Sequence, residues 1–134
     1  MASRGDYNFS LLVLDVDYFK QINDHHGHQI GDQVLKFLAA QLEKQIRSTD
    51  MLFRIGGEEF VIITPTQESK QAYQLAKRLH SHINTLEPNP LPKFTVSFGV
   101  ANYEIGDTSS LLFNRADQAL YQAKAQGRDC IVIA

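Results

Sequence analysis

The chain has 134 residues, 43% hydrophobic and 21% charged, the balance of one ordinary globular domain, which excludes a disordered tail, a collagen and a coiled coil. Thirteen Lys and Arg against fifteen Asp and Glu give a formal charge of −2, so there is no bulk positive field for nucleic acid or for an anionic membrane surface, and neither is expected as a partner. The single cysteine, Cys130, cannot close an internal disulfide, which favours a reducing compartment, and no apolar run approaches the ~18 residues of a membrane helix.

Residues 1–8 lack the apolar stretch of a signal peptide and read as an appended leader or a domain edge, leaving one domain over 9–134. Phe9 to Asp17 reads as a strand that is apolar on both flanks until Asp15, the mark of a central, buried position. Residues 18–28 are polar and carry Gly27, a loop or short helix. From Gln29 to Arg47 a stripe of Ile30, Val34, Leu38, Leu42 and Ile46 predicts an amphipathic helix. Met51–Ile55 and Glu59–Thr64 are two short strands around Gly56-Gly57, a hairpin. A second helix is predicted from Glu68 to Leu86, with Ala72, Leu75, Ala76, Leu79 and Ile83 inward, ended by the prolines at 88, 90 and 92. Phe94–Tyr103 reads as a strand. Asp107-Thr108 offers an N-cap for a third helix closed by Gly127, and Cys130–Ala134 is a last strand. The order β-α-β-β-α-β, then α-β, predicts an α+β fold of ferredoxin-like or palm shape: one mostly antiparallel sheet with helices packed on one face.

Asp15 and Asp17 interrupt an apolar strand at its C-terminal end, where a bare carboxylate is costly unless a cation or donors meet it. A hairpin beside that strand would bring Glu58 and Glu59 to the same place. Mg2+ resolves such a cluster because it takes oxygen ligands and shares its shell with phosphates. The plainer reading is exposed acids pairing with Lys20 or Arg54. Asn23, Asp24, Gly31 and Asp32 lie in the next segment, where Asn and Asp side chains suit the edge of guanine but also suit a turn and a helix start. Lys124 and Arg128 flank the end of the third helix, as phosphate ligands or as partners of the helix dipole.

Together these segments resemble the GGDEF family, the bacterial diguanylate cyclases. Gly56-Gly57-Glu58-Glu59-Phe60 is the signature in its Glu variant, preceded by Arg54-Ile55 where the family usually has Arg and an aromatic. Asp15-Val16-Asp17-Tyr18-Phe19-Lys20-Gln21-Ile22-Asn23-Asp24 is similar to the family's Asp-x-Asp-x-Phe-Lys-x-x-Asn-Asp segment, and the run to Gly31-Asp32 continues it. Ser97-Phe98-Gly99-Val100 resembles a Ser-x-Gly strand, and Ala116 to Lys124 with Gly127-Arg128 resembles the last helix.

The resemblance implies condensation of two GTP into cyclic di-GMP and two pyrophosphates, with the two domains facing each other as a homodimer. It implies Mg2+, or Mn2+ in its place, on Asp15, Glu58 and the backbone carbonyl of Val16. Glu58 or Glu59 would help deprotonate the 3′-hydroxyl. Asn23 and Asp32 would bind guanine. Lys20, Lys124 and Arg128, with backbone N–H groups at Tyr18 and Phe19, would hold the triphosphate, and Gly56 and Gly57 would let the nucleotide approach the turn. Arg47-Ser48-Thr49-Asp50, with Arg78, would form a product-inhibition site; the plainer reading has Arg47 as a dipole partner and Asp50 capping a turn. A bacterial cytoplasmic setting is implied, with any membrane anchor elsewhere in a longer protein. The family's usual opening segment, Asp-x-Leu-Thr-Gly-Leu-x-Asn-Arg-Arg, has no counterpart, so a domain trimmed at its front edge and weakly active is expected. The competing readings are a binding module for GTP or cyclic di-GMP and a single-nucleotide cyclase on the same palm.

The remaining features read plainly. His25, His26 and His28 do not share a helical face and form no zinc set. His80 and His82 read as surface residues, Cys130 as an apolar filler, and Tyr121 and Phe113 as core. Asp17 reads as a structural residue orienting Lys20 or the hairpin.

Overall fold

The computed structural model describes residues 8–66 and 68–134; the leader or domain edge expected at the start falls, apart from Asn8, outside the described residues. The element order is β1 (Phe9–Val16), α1 (Phe19–His26), α2 (His28–Gln45), β2 (Met51–Ile55), β3 (Glu59–Pro65), α3 (Ser69–Thr85), β4 (Val96–Asn102), α4 (Ser109–Ala125) and β5 (Ile131–Ile133). The ambiguous segment after β1 is thus a helix in its own right, joined to α2 at Gly27.

The sheet order is β2-β3-β1-β4-β5, antiparallel except for the β4–β5 pair. The central β1 is buried along nearly its whole length, as its two-sided apolar pattern requires. The first four strands have the ferredoxin-like order, but the expectation of helices on one face needs correction. Leu12, Leu14 and Val16 face α2 and α3, in a core with Leu38, Leu42, Ala76 and Leu79. Leu11 and Val13 point the other way, against Leu112, Ala116 and Leu120 of α4. The added α4–β5 unit therefore covers the opposite face, because alternation gives β1 two apolar faces and both must be buried.

The stripes predicted for α2 and α3 face the core, with Ile30 and Ile46 only half-buried at the ends of theirs. Helix α3 starts with a capping box between Glu68 and Gln71, and Thr108 caps α4 by accepting from the Leu111 N–H at 3.1 Å. Helix α4 lies unusually close to β4: a Cβ at Gly99 would stand 2.1 Å from the Ala116 carbonyl oxygen and 2.3 Å from the Leu120 nitrogen. Small residues on both elements make that approach possible. The same packing turns Tyr121 outward, 74% exposed, which corrects its core assignment; Phe113 is half-buried against the α4-side cluster. On that side the sheet is only partly covered. Met51 and Phe53 of the edge strand are exposed beside a groove of about 510 Å3 between the hairpin and α4.

Candidate active site

The site lies where β1 ends. In the sheet register Asp15 stands opposite Glu59 of β3 on one side and Ser97 of β4 on the other, so the hairpin does bring its acids to the strand end. Asp15 is buried, and its Oδ2 accepts from the Lys124 Nζ of α4 at 2.5 Å. Burial pushes its carboxyl above the usual range; Lys124 opposes that shift, and Glu58 and Asp17 add to it through their negative charge. Its other oxygen, Oδ1, is buried and accepts no hydrogen bond. A buried carboxylate oxygen without a donor is costly, and a cation is a natural partner for it.

Glu58 follows Gly56 and Gly57 in the hairpin turn, where Gly56 has φ 65°, a left-handed conformation that glycine adopts freely. Arg54 does not pair with the acids. It donates to the Gly57 carbonyl from Nη2 at 2.6 Å and Nε at 3.2 Å, bracing the turn that carries them. Glu58 lines a cleft of about 340 Å3 together with Val16, Tyr18, Lys20, Lys124 and Arg128. Its neighbour Glu59 meets Asp117 of α4. Burial, then the Asp117 charge and a hydrogen bond to it, push the Glu59 carboxyl up to about 7, with Asp15 adding and Lys124 opposing. Asp117 lies in the Ala116 to Lys124 segment, and its approach to Glu59 depends on α4 crossing the sheet, which local pattern does not encode.

Tyr18 has φ 56° and begins α1 without a side-chain cap, and both Tyr18 and Phe19 line the cleft. Phe19 is buried as the anchor of that turn, and Lys20 projects outward, 91% exposed along its side chain and 3.7 Å from Asp24. The Arg128 guanidinium lies over the Tyr18 ring, 4.5 Å from its centroid. Asp17 corrects one expectation: it orients neither Lys20 nor the hairpin. It accepts from Thr95 Oγ1 and Ser97 Oγ, both at 2.6 Å, and from the Asp129 N–H at 2.9 Å, tying β1 to β4 and to the turn after α4.

Asn23 on α1 and Asp32, just past the first turn of α2, belong to two packed helices. Asn23 Oδ1 is buried without a hydrogen bond, and a Cβ at Gly31 would fall 1.8 Å from it. Gly31 is thus the space in which the Asn23 side chain rests. Asp32 is exposed.

The Arg-x-x-Asp segment is a tight turn. The Asp50 side chain is fully buried, accepting from the Arg47 N–H at 2.9 Å and Thr64 Oγ1 at 2.6 Å, with Arg47 Nε at 3.8 Å. Arg47 and Arg78 line one recess of about 230 Å3, and Arg78 donates to the Gln45 carbonyl at 2.6 Å.

His80 is not a plain surface residue. Its side chain is 20% exposed and bonds Asp129, while His82 bonds Gln41 Oε1 at 2.9 Å. Cys130 is half-buried, its Sγ 3.4 Å from the Ala123 carbonyl oxygen, ahead of β5 rather than in it. Among the described residues no group of three or more His, Cys, Asp or Glu is placed to hold a metal by itself, and no helix is long and apolar enough to cross a membrane.

A family model described as "Diguanylate cyclase, GGDEF domain" matches residues 1–130. The diguanylate cyclase DgcM of Escherichia coli K12 is 44% identical over 127 residues, covering 95% of this chain and 31% of that protein, so the chain spans about a third of its relative's length. Among solved structures, the diguanylate cyclase SiaD of Pseudomonas aeruginosa, in complex with its activator SiaC, superposes with a TM-score of 0.90 at 39% identity, covering 98% of this chain and 52% of that one. The GGDEF domain of DgcB from Caulobacter crescentus, in complex with c-di-GMP, superposes at 0.87 with 32% identity, covering 94% and 77%.

Proposed function

The chain belongs to the GGDEF family of diguanylate cyclase domains, and from that premise we propose that it condenses two GTP molecules into cyclic di-GMP with release of two pyrophosphates. The observation that carries the proposal is the meeting of the β1 end, the hairpin turn and the α4 end in one cleft, with Asp15 buried and one of its oxygens unsatisfied.

A divalent cation fits that oxygen. Asp15, Glu58 and the Val16 carbonyl would hold it, leaving room in its shell for phosphate oxygens, as few protein ligands suit Mg2+ and Mn2+ can replace it. When bound, the ion neutralises phosphate charge and favours the ionised 3′-oxygen.

The chain's own residues divide the remaining tasks. Lys20, Lys124 and Arg128, with the backbone N–H groups at Tyr18 and Phe19, hold the triphosphate. Asn23 and Asp32 read the guanine edge from α1 and α2. Gly56 and Gly57 present bare backbone to the nucleotide. Glu58 faces the cleft and accepts the proton of the 3′-hydroxyl, whereas Glu59 is engaged by Asp117 on α4. Each 3′-oxygen bonds the α-phosphorus of the GTP on a second copy, and the bond from that phosphorus to pyrophosphate breaks. One GTP sits in each copy, so two copies face each other as a homodimer. The setting that supplies GTP and Mg2+ is the bacterial cytoplasm.

Product returns to the recess of Arg47 and Arg78, which supply two guanidinium groups for its phosphates and bases. Asp50 completes that site from behind, fixing the turn that presents Arg47.

Replacing Glu58 with Gln removes the proton acceptor and one charge while keeping the shape. Product formation from GTP and Mg2+ is expected to fall by at least about 100-fold with an unchanged thermal midpoint. Turnover at the wild-type rate in that variant would overturn the assignment.

A further inference from the structure

The turn after α4 is unusual: Gly127, Arg128 and Asp129 have φ of 121°, 66° and 51°, three consecutive left-handed residues of which two carry side chains. Non-glycine residues adopt that conformation uncommonly, aspartate more readily than arginine, and two in succession call for support from their surroundings. The Arg128 N–H donates to the Ala123 carbonyl at 2.9 Å, and the Asp129 N–H donates to Asp17 Oδ2 at 2.9 Å and lies 3.1 Å from Ser97 Oγ. These bonds fix the backbone from α4 and from the sheet.

On the other side stands His80 of α3, 49 residues away in sequence. Its Nε2 lies 2.7 Å from Asp129 Oδ1 and 3.0 Å from the Asp129 carbonyl oxygen. Two acceptors at these distances, against the Asn84 Nδ2 at 3.4 Å, assign the ring proton to Nε2, which donates to the Asp129 pair. The ring is set edge-on to Phe98 of β4, with centroids 6.2 Å apart, which fixes its position against the sheet. Asn84, one turn further along α3, donates to the same Asp129 Oδ1 at 3.2 Å. Asp129 is thus gripped from α3 as well as from Asp17, and its neighbour Arg128 is left with its guanidinium over Tyr18 at the cleft.

We propose that His80 is a positioning residue: through Asp129 it holds the left-handed turn that aims Arg128 at the triphosphate. The role assigned to Arg128 rests on the function proposed above; the hold of His80 on the turn does not. If His80 acts only through this turn, its loss weakens binding of the triphosphate and spares binding of the base.

Two measurements on the 134-residue chain decide it, with His80→Leu, His80→Gln, Arg128→Ala and the double variant His80→Leu/Arg128→Ala. Hydrogen exchange at the amides of 127–129 is expected to quicken at least about tenfold in His80→Leu, while the core of β1 stays protected; His80→Gln, which keeps a donor near Nε2, restores protection. In titrations, His80→Leu is expected to weaken GTP about tenfold, the worth of one charge-assisted contact, with guanosine unchanged and no further loss in the Arg128→Ala background. Unchanged exchange at 127–129 in a folded His80→Leu protein overturns the proposal. An equal further loss of GTP binding in the Arg128→Ala background also overturns it. Should the wild-type chain take up no GTP, the proposed function fails, and the exchange result alone still decides whether His80 holds the turn.

Discussion

Two carboxyl groups that differ by one position in the chain carry different chemistry here. Glu58 opens on the cleft, while burial, and after it the charge of Asp117, raises the Glu59 carboxyl to about 7 against an ordinary 4.5. A folded-state pKa above the unfolded one means that the folded chain holds the proton through that window while the unfolded chain releases it, so this group's contribution to stability falls as pH rises from about 4.5 to about 7. In chain freed of divalent cations, the urea midpoint is therefore expected to drop between about pH 5.5 and pH 7.5, and Glu59→Gln is expected to flatten that drop. A slope that survives in Glu59→Gln would place its origin elsewhere. Gly31 makes a second residue-level case. A Cβ there displaces the flexible Asn23 side chain and stands 3.2 Å from the Phe19 Cζ, which must give by a few tenths of an ångström, while alanine suits a helix better than glycine by about 0.5–1 kcal/mol. Gly31→Ala is expected to leave the thermal midpoint near or above that of the wild type and to weaken GTP about tenfold, as loss of the Asn23 contact would. Unaltered GTP affinity would remove Asn23 from the guanine site.

At the level of elements, alternation and helical stripes placed each strand and the three long helices within a few residues, because those periods are local properties of the chain. The acids of the site were legible for the same reason: Asp15 breaks an apolar strand and Glu58-Glu59 follow two glycines. What stayed hidden depends on which elements cross. Gly99 carries no local signal of its purpose, yet it is where the α4 backbone rests on β4. Asp117 and His80 gain their partners only once α4 and α3 lie on opposite faces of the sheet, and the expectation of helices on one face hid both. Gly99→Ala puts a methyl group against helix backbone that cannot rotate away, so a loss of about 3 kcal/mol or more is expected in chemical denaturation. Activity should fall with it, since α4 carries Lys124. A variant as stable as the wild type would show that α4 can shift without cost.

For the whole molecule, each copy offers one cleft with one set of phosphate ligands, whereas the proposed product joins two nucleotides. On the proposed function, the chemistry is therefore completed between two copies. The contacts of Arg54, Asp17 and His80 brace the turns around the cleft within a single copy. The most direct test is mass spectrometry of what the purified chain, stripped of bound nucleotide, makes from GTP and Mg2+ over a series of protein concentrations. The account predicts cyclic di-GMP, formed at a rate per chain that rises with chain concentration. A chain that binds GTP in this cleft yet yields no cyclic di-GMP at any concentration, or that yields a cyclic mononucleotide instead, would contradict it.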